Sequence, residues 1–377
     1  MLRRLTPAVA CALALASSAG AATVPPLPSQ RQLASDRATF RTLAATGLSQ
    51  TRKLWWNPQQ HWYMGRSNGD PPLASTWSAF PFLELVSAVA IAEPTKTNVA
   101  LANTTFKQAE GYWDPTLGVN GSGGVSWLYG LRNTGNAYFD DTGWWGVAYL
   151  DAYRATKNKR WLWDAGRALA YIDRFGWDRA GGGGTWWNVA HDHKTSEPLA
   201  AGALIAATLY HWQHKPYYLE IAKRYIAWAD AHTRNPQQGN LYGRNATDGT
   251  VMDYVEGMMI AAHSELCAAT KQKSWCTRAN RLANASLQQF PVDADWAPET
   301  DVVYLRWLLD LYQQSGDSRW YSLVYRNAKR AASNARDSEG LWSLRWDGGY
   351  TLPGTLYTQS ATLELFAWVA AAAPPRR

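Results

Sequence analysis

A helical hairpin repeats along the chain, and this repeat limits the possible folds more than any other feature. A small or polar residue at the end of one helical segment is followed, five positions later, by an aromatic residue that opens the next. The pairs are Thr156/Trp161, Gln213/Tyr218, Thr270/Trp275 and Ser315/Trp320. The aromatic members lie 57, 57 and 45 residues apart, which suits two helices and a loop per unit. We therefore expect a repeat architecture built from helices.

Helical periodicity predicts twelve helices of two alternating kinds. The first kind is charged on one face, over residues 31–54, 96–111, 159–175, 216–233, 273–289 and 318–335. The second kind is more apolar and richer in small residues, over residues 74–92, 142–156, 196–213, 254–270, 300–314 and 357–372. A charged face suits an outer ring, and nearly continuous apolarity suits an inner ring packed on two sides. The pattern predicts an all-α (α/α)6 toroid of six outer–inner hairpins, with an open solenoid as the alternative.

The predicted connections are short at one end of this ring and long at the other. The long ones run from an outer to an inner helix, are rich in Gly, Trp, Asn and Asp, and cover residues 112–141, 176–195, 234–253, 290–299 and 336–356. They would all collect over the N-termini of the inner helices. Long loops on a rigid scaffold commonly carry function, so we expect the functional site at this end.

The N-terminus has the features of an export signal. Two arginines precede an apolar run at residues 5–16, and Ala19-Gly20-Ala21 resembles a cleavage site. The apolar run is too short to cross a bilayer, and no later segment qualifies as a membrane span. We expect residues 1–21 to be removed and residues 22–377 to form a single domain, monomeric and either periplasmic or secreted.

The charge and the cysteine content indicate which partners and which cellular compartment to expect. Loss of the two signal arginines lowers the formal net charge from +7 to +5, and without a Lys/Arg block nucleic acid is not the expected partner. After processing, only Cys267 and Cys276 remain. They flank a predicted turn between two helices, where an oxidising compartment would favour a disulfide.

Two adjacent carboxylates, Asp140 and Asp141, stand at the predicted start of an inner helix, just before Trp144 and Trp145. Neighbouring carboxylates repel, so such a pair in an aromatic surround favours one protonated and one ionised member. Cleavage of a glycosidic bond requires this combination. The alternative is that Asp141 is a helix N-cap and Asp140 a loop residue. We favour catalysis, with both aspartates as the catalytic residues.

The candidate substrate contacts come from the same end of the predicted ring. The chain has 22 tryptophans and 19 tyrosines, more than a core needs, and aromatic faces suit sugars. The inner helices also open with polar residues that would converge on one cleft. The candidates are Trp144, Trp145, Trp186, Trp187, Asn188, Glu197, Asp253, Tyr254, Glu256 and Asp301. His191-Asp192-His193 has no second cluster of ligands, so neither a metal nor another cofactor is expected.

Three segments, taken in this order, resemble glycoside hydrolase family 76, the endo-α-1,6-mannanases. They are YFDDTGWWGVAYLDAY at 138–153, GGTWWN at 183–188 and YVEG at 254–257. The resemblance implies an (α/α)6 fold and a retaining double displacement on α-1,6-linked mannose chains. By position it implies Asp140 as nucleophile and Asp141 as general acid/base. Glu256 departs from the Gln common in the family, which bears on the substrate more than on the reaction.

Other functions remain open at this point. A transglycosidase would join mannan-bearing glycans where a hydrolase cleaves them. A polysaccharide lyase or sugar epimerase could use the same toroid, although lyases usually neutralise a uronate with basic residues or a metal and this end of the ring is acidic. A non-catalytic glycan-binding protein would keep the tryptophans and tolerate loss of the aspartate pair.

Overall fold

The computed structural model describes residues 23–118, 121–132, 137–294, 296–348 and 354–376. The expected export signal lies outside these residues and stays a prediction. The described residues form twelve α-helices. The outer ones are α1 (Gln30–Leu54), α3 (Lys96–Ala109), α5 (Lys159–Tyr171), α7 (Pro216–His232), α9 (Lys273–Gln289) and α11 (Ser318–Asn334). The inner ones are α2 (Thr76–Ala92), α4 (Phe139–Thr156), α6 (Ser196–Gln213), α8 (Asp253–Thr270), α10 (Pro298–Ser315) and α12 (Leu356–Ala371).

The six inner helices form a closed ring. Each packs against the inner helix before it and the one after it, and α12 packs against α2 to complete the circle. The outer helices lie against this ring, with α5 on α4 and α6 and α11 on α10 and α12. The predicted all-α toroid is therefore confirmed, and the open solenoid is wrong because the two ends of the inner array meet.

Sequence composition explains which helices lie inside. Nearly every residue of α2 and α12 is buried, so these helices pack on two sides. In α5 the buried residues Trp161, Ala165 and Ala168 recur at helical spacing, while Lys159 and Arg160 are exposed. One apolar stripe suits a helix with a single packed face.

Short antiparallel hairpins, each made of two-residue strands, lie at the loop end of the toroid. They pair β1 (Trp56–Asn57) with β2 (Trp62–Tyr63), β3 (Trp113–Asp114) with β4 (Gly124–Val125), and β5 (Arg234–Asn235) with β6 (Leu241–Tyr242). Their registers place Trp56 opposite Tyr63, Trp113 opposite Val125 and Arg234 opposite Tyr242. Within the described ranges, no helix is both long and apolar enough to cross a membrane.

Helix α4 begins three residues earlier than its periodicity predicts, because a neighbouring loop fixes its start. Tyr138 is extended and forms a bridge with Asn188. The Phe139 N–H then donates to the Trp187 carbonyl over 2.8 Å. Asp140 and Asp141 therefore lie in the first turn of the helix, and the alternative of Asp141 as N-cap is wrong.

The structure joins Cys267 of α8 to Cys276 of α9 by a disulfide, with 5.0 Å between the Cα atoms. The two cysteines are nine residues apart, so the bond closes a small loop around the α8–α9 turn.

Replacing both cysteines by serine is expected to lower the free energy of unfolding by about 2–3 kcal/mol, because closing a loop of this length removes that much entropy from the unfolded chain. Urea denaturation of the oxidised proteins measures the difference. A reducing agent should bring the wild type to the stability of the variant and leave the variant unaffected. Equal stability of the two oxidised proteins would contradict the prediction.

Candidate active site

A cavity of about 330 Å³ opens at the loop end of the toroid. Five inner helices contribute to its wall, and two loops complete it. Its lining residues are Trp77, Asp140, Trp144, Trp187, His193, Thr195, Glu197, Arg244, Tyr254 and Thr300. Five of the predicted site residues therefore meet here: Asp140, Trp144, Trp187, Glu197 and Tyr254.

Asp140 is the half-buried carboxylate of this cavity. Its Oδ2 accepts a hydrogen bond from the Trp187 indole N–H over 2.9 Å, and its Oδ1 accepts one from the Asp141 backbone N–H over 2.9 Å. Burial raises the pKa of Asp140 to about 6, the two hydrogen bonds oppose this rise, and the negative charge of Glu197 adds to it. Asp140 is therefore mostly ionised at neutral pH.

Asp141 is also half-buried, although it does not line the cavity. Burial holds the pKa of Asp141 well above its ordinary value, and the charge of Asp140 raises it further. Two coupled carboxyls of this kind share one proton over a range of pH. The stronger upward shift of the Asp141 pKa places the shared proton on Asp141, so the pair offers one acid and one carboxylate.

Aromatic rings line much of the cavity. The Trp144 ring lies 5.1 Å from both Trp77 and Phe80 and 5.7 Å from Tyr254. The Trp187 ring also lines the cavity. These rings offer flat apolar faces beside polar groups, which is the surface a sugar ring prefers.

Glu197 forms the polar wall with Thr195 and Arg244. The Glu197 carboxylate accepts hydrogen bonds from the Thr195 hydroxyl and, over 3.4 Å, from the Tyr254 hydroxyl. The Arg244 Nε lies 3.9 Å from the same carboxylate. The site residues predicted from sequence did not include five of the lining residues: Trp77, His193, Thr195, Arg244 and Thr300. Thr195 directly precedes α6, a position that the argument from helix starts could have found, whereas Arg244 lies in a long loop without a local signal.

Three predicted contacts lie beside the cavity without lining it. Trp145 is 1% exposed and packs in the core, with its ring 3.9 Å from Tyr149. Trp144 and Trp145 differ by about 100° around the helix, so only one of them can face the cavity. Trp186 stacks on His191 at 4.9 Å, and the buried Asn188 bonds to Asp192 and holds the loop in place.

The three residues of the cluster His191-Asp192-His193 contact different neighbours. The His193 ring lies 4.9 Å from Trp187 and lines the cavity. The His191 ring faces Trp186, and Asp192 faces Asn188. Each side chain thus has its own neighbour within the loop.

Asp253 and Asp301 are buried below the cavity and hydrogen-bond to each other. Burial raises the pKa of Asp253 to about 6. Burial and the charge of Asp253 hold the pKa of Asp301 well above its usual range. Asp301 therefore keeps its proton and donates it to Asp253. This pair joins the first turns of α8 and α10 and does not line the cavity, in contrast to the sequence-based expectation.

Glu256 is fully buried, so it too is placed away from the cavity. One carboxylate oxygen accepts from the Tyr242 N–H over 2.5 Å, which attaches the β5–β6 hairpin to α8. Burial raises the pKa of Glu256 to about 8. Its role in this structure is to anchor a hairpin.

Glu256→Gln should change how stability depends on pH. A carboxyl whose pKa is raised in the folded state stabilises the fold fully below its unfolded pKa, and this contribution is lost as pH rises toward about 8. Gln keeps the acceptor oxygen and cannot ionise, so the stability of the variant relative to wild type should rise by up to about 1 kcal/mol per pH unit between pH 5 and 8.

Urea denaturation of both proteins across this range measures the change. The exposed Glu220 of α7 provides the matched control, since Glu220→Gln replaces a carboxyl that is not buried. Parallel curves for wild type and Glu256→Gln would contradict the burial argument.

The sequence model of glycosyl hydrolase family 76 matches residues 128–304. Residues 128–304 are therefore similar to glycoside hydrolase family 76. The predicted resemblance is thereby confirmed, and the match supports a glycoside hydrolase. The matched segment holds every cavity-lining residue except Trp77. No curated protein matches the chain.

Solved structures share the fold at low sequence identity. A family 76 α-mannanase from Bacteroides thetaiotaomicron has a TM-score of 0.77 and 19% identity, over 90% of this chain and 98% of that one. The α-1,6-mannanase of Salegentibacter sp. HEL1_6 has a TM-score of 0.72 and 18% identity, over 89% and 100%. An inactive variant of that mannanase, with two consecutive aspartates changed to asparagine, is solved with α-1,6-mannotriose. A cellobiose 2-epimerase from Spirochaeta thermophila has a TM-score of 0.67 and 13% identity, over 91% and 99%.

Proposed function

We propose that this protein is a retaining glycoside hydrolase that cleaves internal α-1,6-mannosidic bonds of mannan backbones. The observation that carries the proposal is the cavity carboxylate Asp140 beside the protonated Asp141, inside a segment that matches family 76. Aromatic walls and an open mouth suit a polysaccharide chain. The bound mannotriose of the Salegentibacter enzyme supports α-1,6-linked mannose as the substrate.

The reaction proceeds in two displacements at the anomeric carbon. The Asp140 carboxylate attacks this carbon, and the bond to the leaving oxygen breaks as Asp141 transfers its proton to that oxygen. The product is a glycosyl ester on Asp140. Asp141, now ionised, takes a proton from water, whose oxygen attacks the same carbon and releases Asp140. Two inversions leave the configuration unchanged.

The surrounding side chains would position the sugar and adjust the ionisation of the Asp140/Asp141 pair. The Trp187 N–H stabilises the ionised Asp140, and the rings of Trp77 and Trp144 would hold sugar faces. The carboxylate of Glu197 would accept sugar hydroxyls. The Asp140 ester could also be released by a sugar acceptor, so product analysis with added mannose oligosaccharides separates hydrolysis from transglycosylation.

Export from the cytoplasm is part of this proposal. The expected signal at residues 1–21 supports it, and so does the disulfide between Cys267 and Cys276, because such bonds persist mainly in oxidising compartments. A polymer such as mannan is also met outside the cytoplasmic membrane. N-terminal sequencing of the protein recovered from its native compartment tests this part.

Asp140→Asn and Asp141→Asn should each lower turnover of an α-1,6-mannan by about 10³-fold or more, because each removes one of the two chemical roles. Release of reducing ends and chromatography of the oligosaccharides measure the loss. Asp317→Asn, at the start of α11 and far from the cavity, is the control and should keep wild-type turnover. Wild-type activity in either the Asp140 or the Asp141 variant would contradict the proposal.

Trp187→Phe should shift the pH dependence of kcat/KM. The wild-type rate should rise with pH through about 6 as Asp140 loses its proton and fall at higher pH as Asp141 loses its own. Removing the indole N–H destabilises the ionised Asp140 and raises its pKa, so the acidic limb should move to higher pH by about one unit.

A pH series on a soluble mannose oligosaccharide measures this limb. Trp186→Phe is the matched control, because the Trp186 ring stacks on His191 and does not contact Asp140. Trp186→Phe should leave the acidic limb of the kcat/KM profile at its wild-type pH. An unchanged limb in Trp187→Phe would show that another group controls it.

A further inference from the structure

A second groove lies on the outside of the toroid, between α5 and α7. Its volume is about 660 Å³. It lies near the N-termini of these outer helices, at the end opposite the Asp140 cavity. The described residues that line it include five aromatic side chains, three basic ones and no acidic one. The aromatic residues are Tyr153, Trp163, Trp212, Tyr217 and Tyr218.

Two of these rings are unusually open to solvent. Trp163 is 63% exposed and Tyr217 is 50% exposed. The Trp163 ring is held by Arg167, whose guanidinium lies 4.9 Å from the ring centroid and forms ion pairs with Glu110 and Asp164. A fixed, exposed indole in a groove is typical of a binding surface. Flat rings of this kind suit the faces of sugars.

The charges of the groove come from Lys159 and Lys215. Lys159 is the first residue of α5, and Lys215 directly precedes α7. A helix N-terminus disfavours a nearby cation, so helix stability does not account for these lysines. Arg167 is neutralised by its two acidic partners, whereas the described residues that line the groove include no carboxylate for the lysines. The groove therefore carries an excess of positive charge.

We propose that this groove binds a phosphate-bearing mannan chain. The rings of Trp163 and Tyr217 contact sugar faces, and the ammonium groups of Lys159 and Lys215 contact phosphate groups. The choice of mannan rests on the proposed function, because a second contact raises the effective concentration of a polymer near the cavity that cleaves it. A nucleic acid fits less well, since its dense phosphates need more cations than Lys159 and Lys215 provide.

Affinity electrophoresis of the full-length mature protein tests the proposal. The probes are a phosphate-bearing α-mannan and the same mannan after removal of its phosphate, and Asp140→Asn is introduced throughout to keep the polymers intact. Trp163→Ala should weaken binding of both polymers by about tenfold, and Trp163→Phe should restore most of it. The double variant Lys159→Gln/Lys215→Gln should weaken only the phosphate-bearing polymer, and 0.5 M salt should act in the same way.

The α8–α9 turn offers the matched control. Lys273 is the first residue of α9, as Lys159 is of α5, and Lys271 lies two residues before it. Neither lines the groove, so their double Gln variant should bind as the Asp140→Asn parent does. In the catalytically intact background, Trp163→Ala should hydrolyse α-1,6-mannotriose at the wild-type rate. If the wild-type protein does not hydrolyse α-1,6-mannotriose, the hydrolase proposal is wrong, and the binding assay can still be interpreted.

Three outcomes would overturn the groove proposal. The first is equal binding by the Trp163, lysine and control variants. The second is equal, lysine-dependent binding of an oligonucleotide, which would make the groove a general polyanion site. The third is a dimer in analytical ultracentrifugation that Trp163→Ala dissociates, which would make a second copy of the chain the occupant.

Discussion

Contact between α12 and α2 closes the inner ring, and the candidate active site depends on that closure. Because every inner helix runs in the same direction, closure brings six helix N-termini to one end. Close helix packing is needed for this ring: a Cβ at Gly143 of α4 would lie 2.5 Å from the Ala201 Cβ of α6. Gly143 therefore serves the approach of two helices, although its place beside the aspartates suggests a role toward substrate.

The interior of the ring holds its charged groups in two ways. Near the loop end, carboxyls are paired and share protons, as in Asp253 with Asp301. At the far end, Arg306 is buried between Asp151 and Asp310, at 2.7 and 3.1 Å. Burial removes water from the charged side chains at both ends of the ring, so a raised pKa alone does not identify a catalytic residue. What distinguishes Asp140 from Asp253 is that Asp140 lines a cavity.

The fold could be predicted from sequence because its periodicity is strong, and the helix boundaries shift by at most about four residues. The errors in the site have two physical causes. Local sequence does not fix the rotation of a helix in its ring, so Trp144 and Trp145 could not be told apart, nor could Glu256 and Tyr254. Arg244 reaches the cavity through a long loop whose path depends on tertiary contacts, such as the bridge between Gly243 and Val251.

Helix direction also accounts for the opposite character of the two ends. The converging N-termini of the inner helices carry partial positive charge, which favours an ionised carboxylate and counteracts the burial of Asp140. The inner C-termini carry partial negative charge, and Lys157 and Lys271 occupy the left-handed position that ends α4 and α8. Lys159 and Lys215 lie at this same end of the toroid, but at the N-termini of the outer helices α5 and α7. The helix dipole disfavours a positive charge there. Their charge is therefore available to an anionic partner, while that of Lys157 and Lys271 is used within the fold.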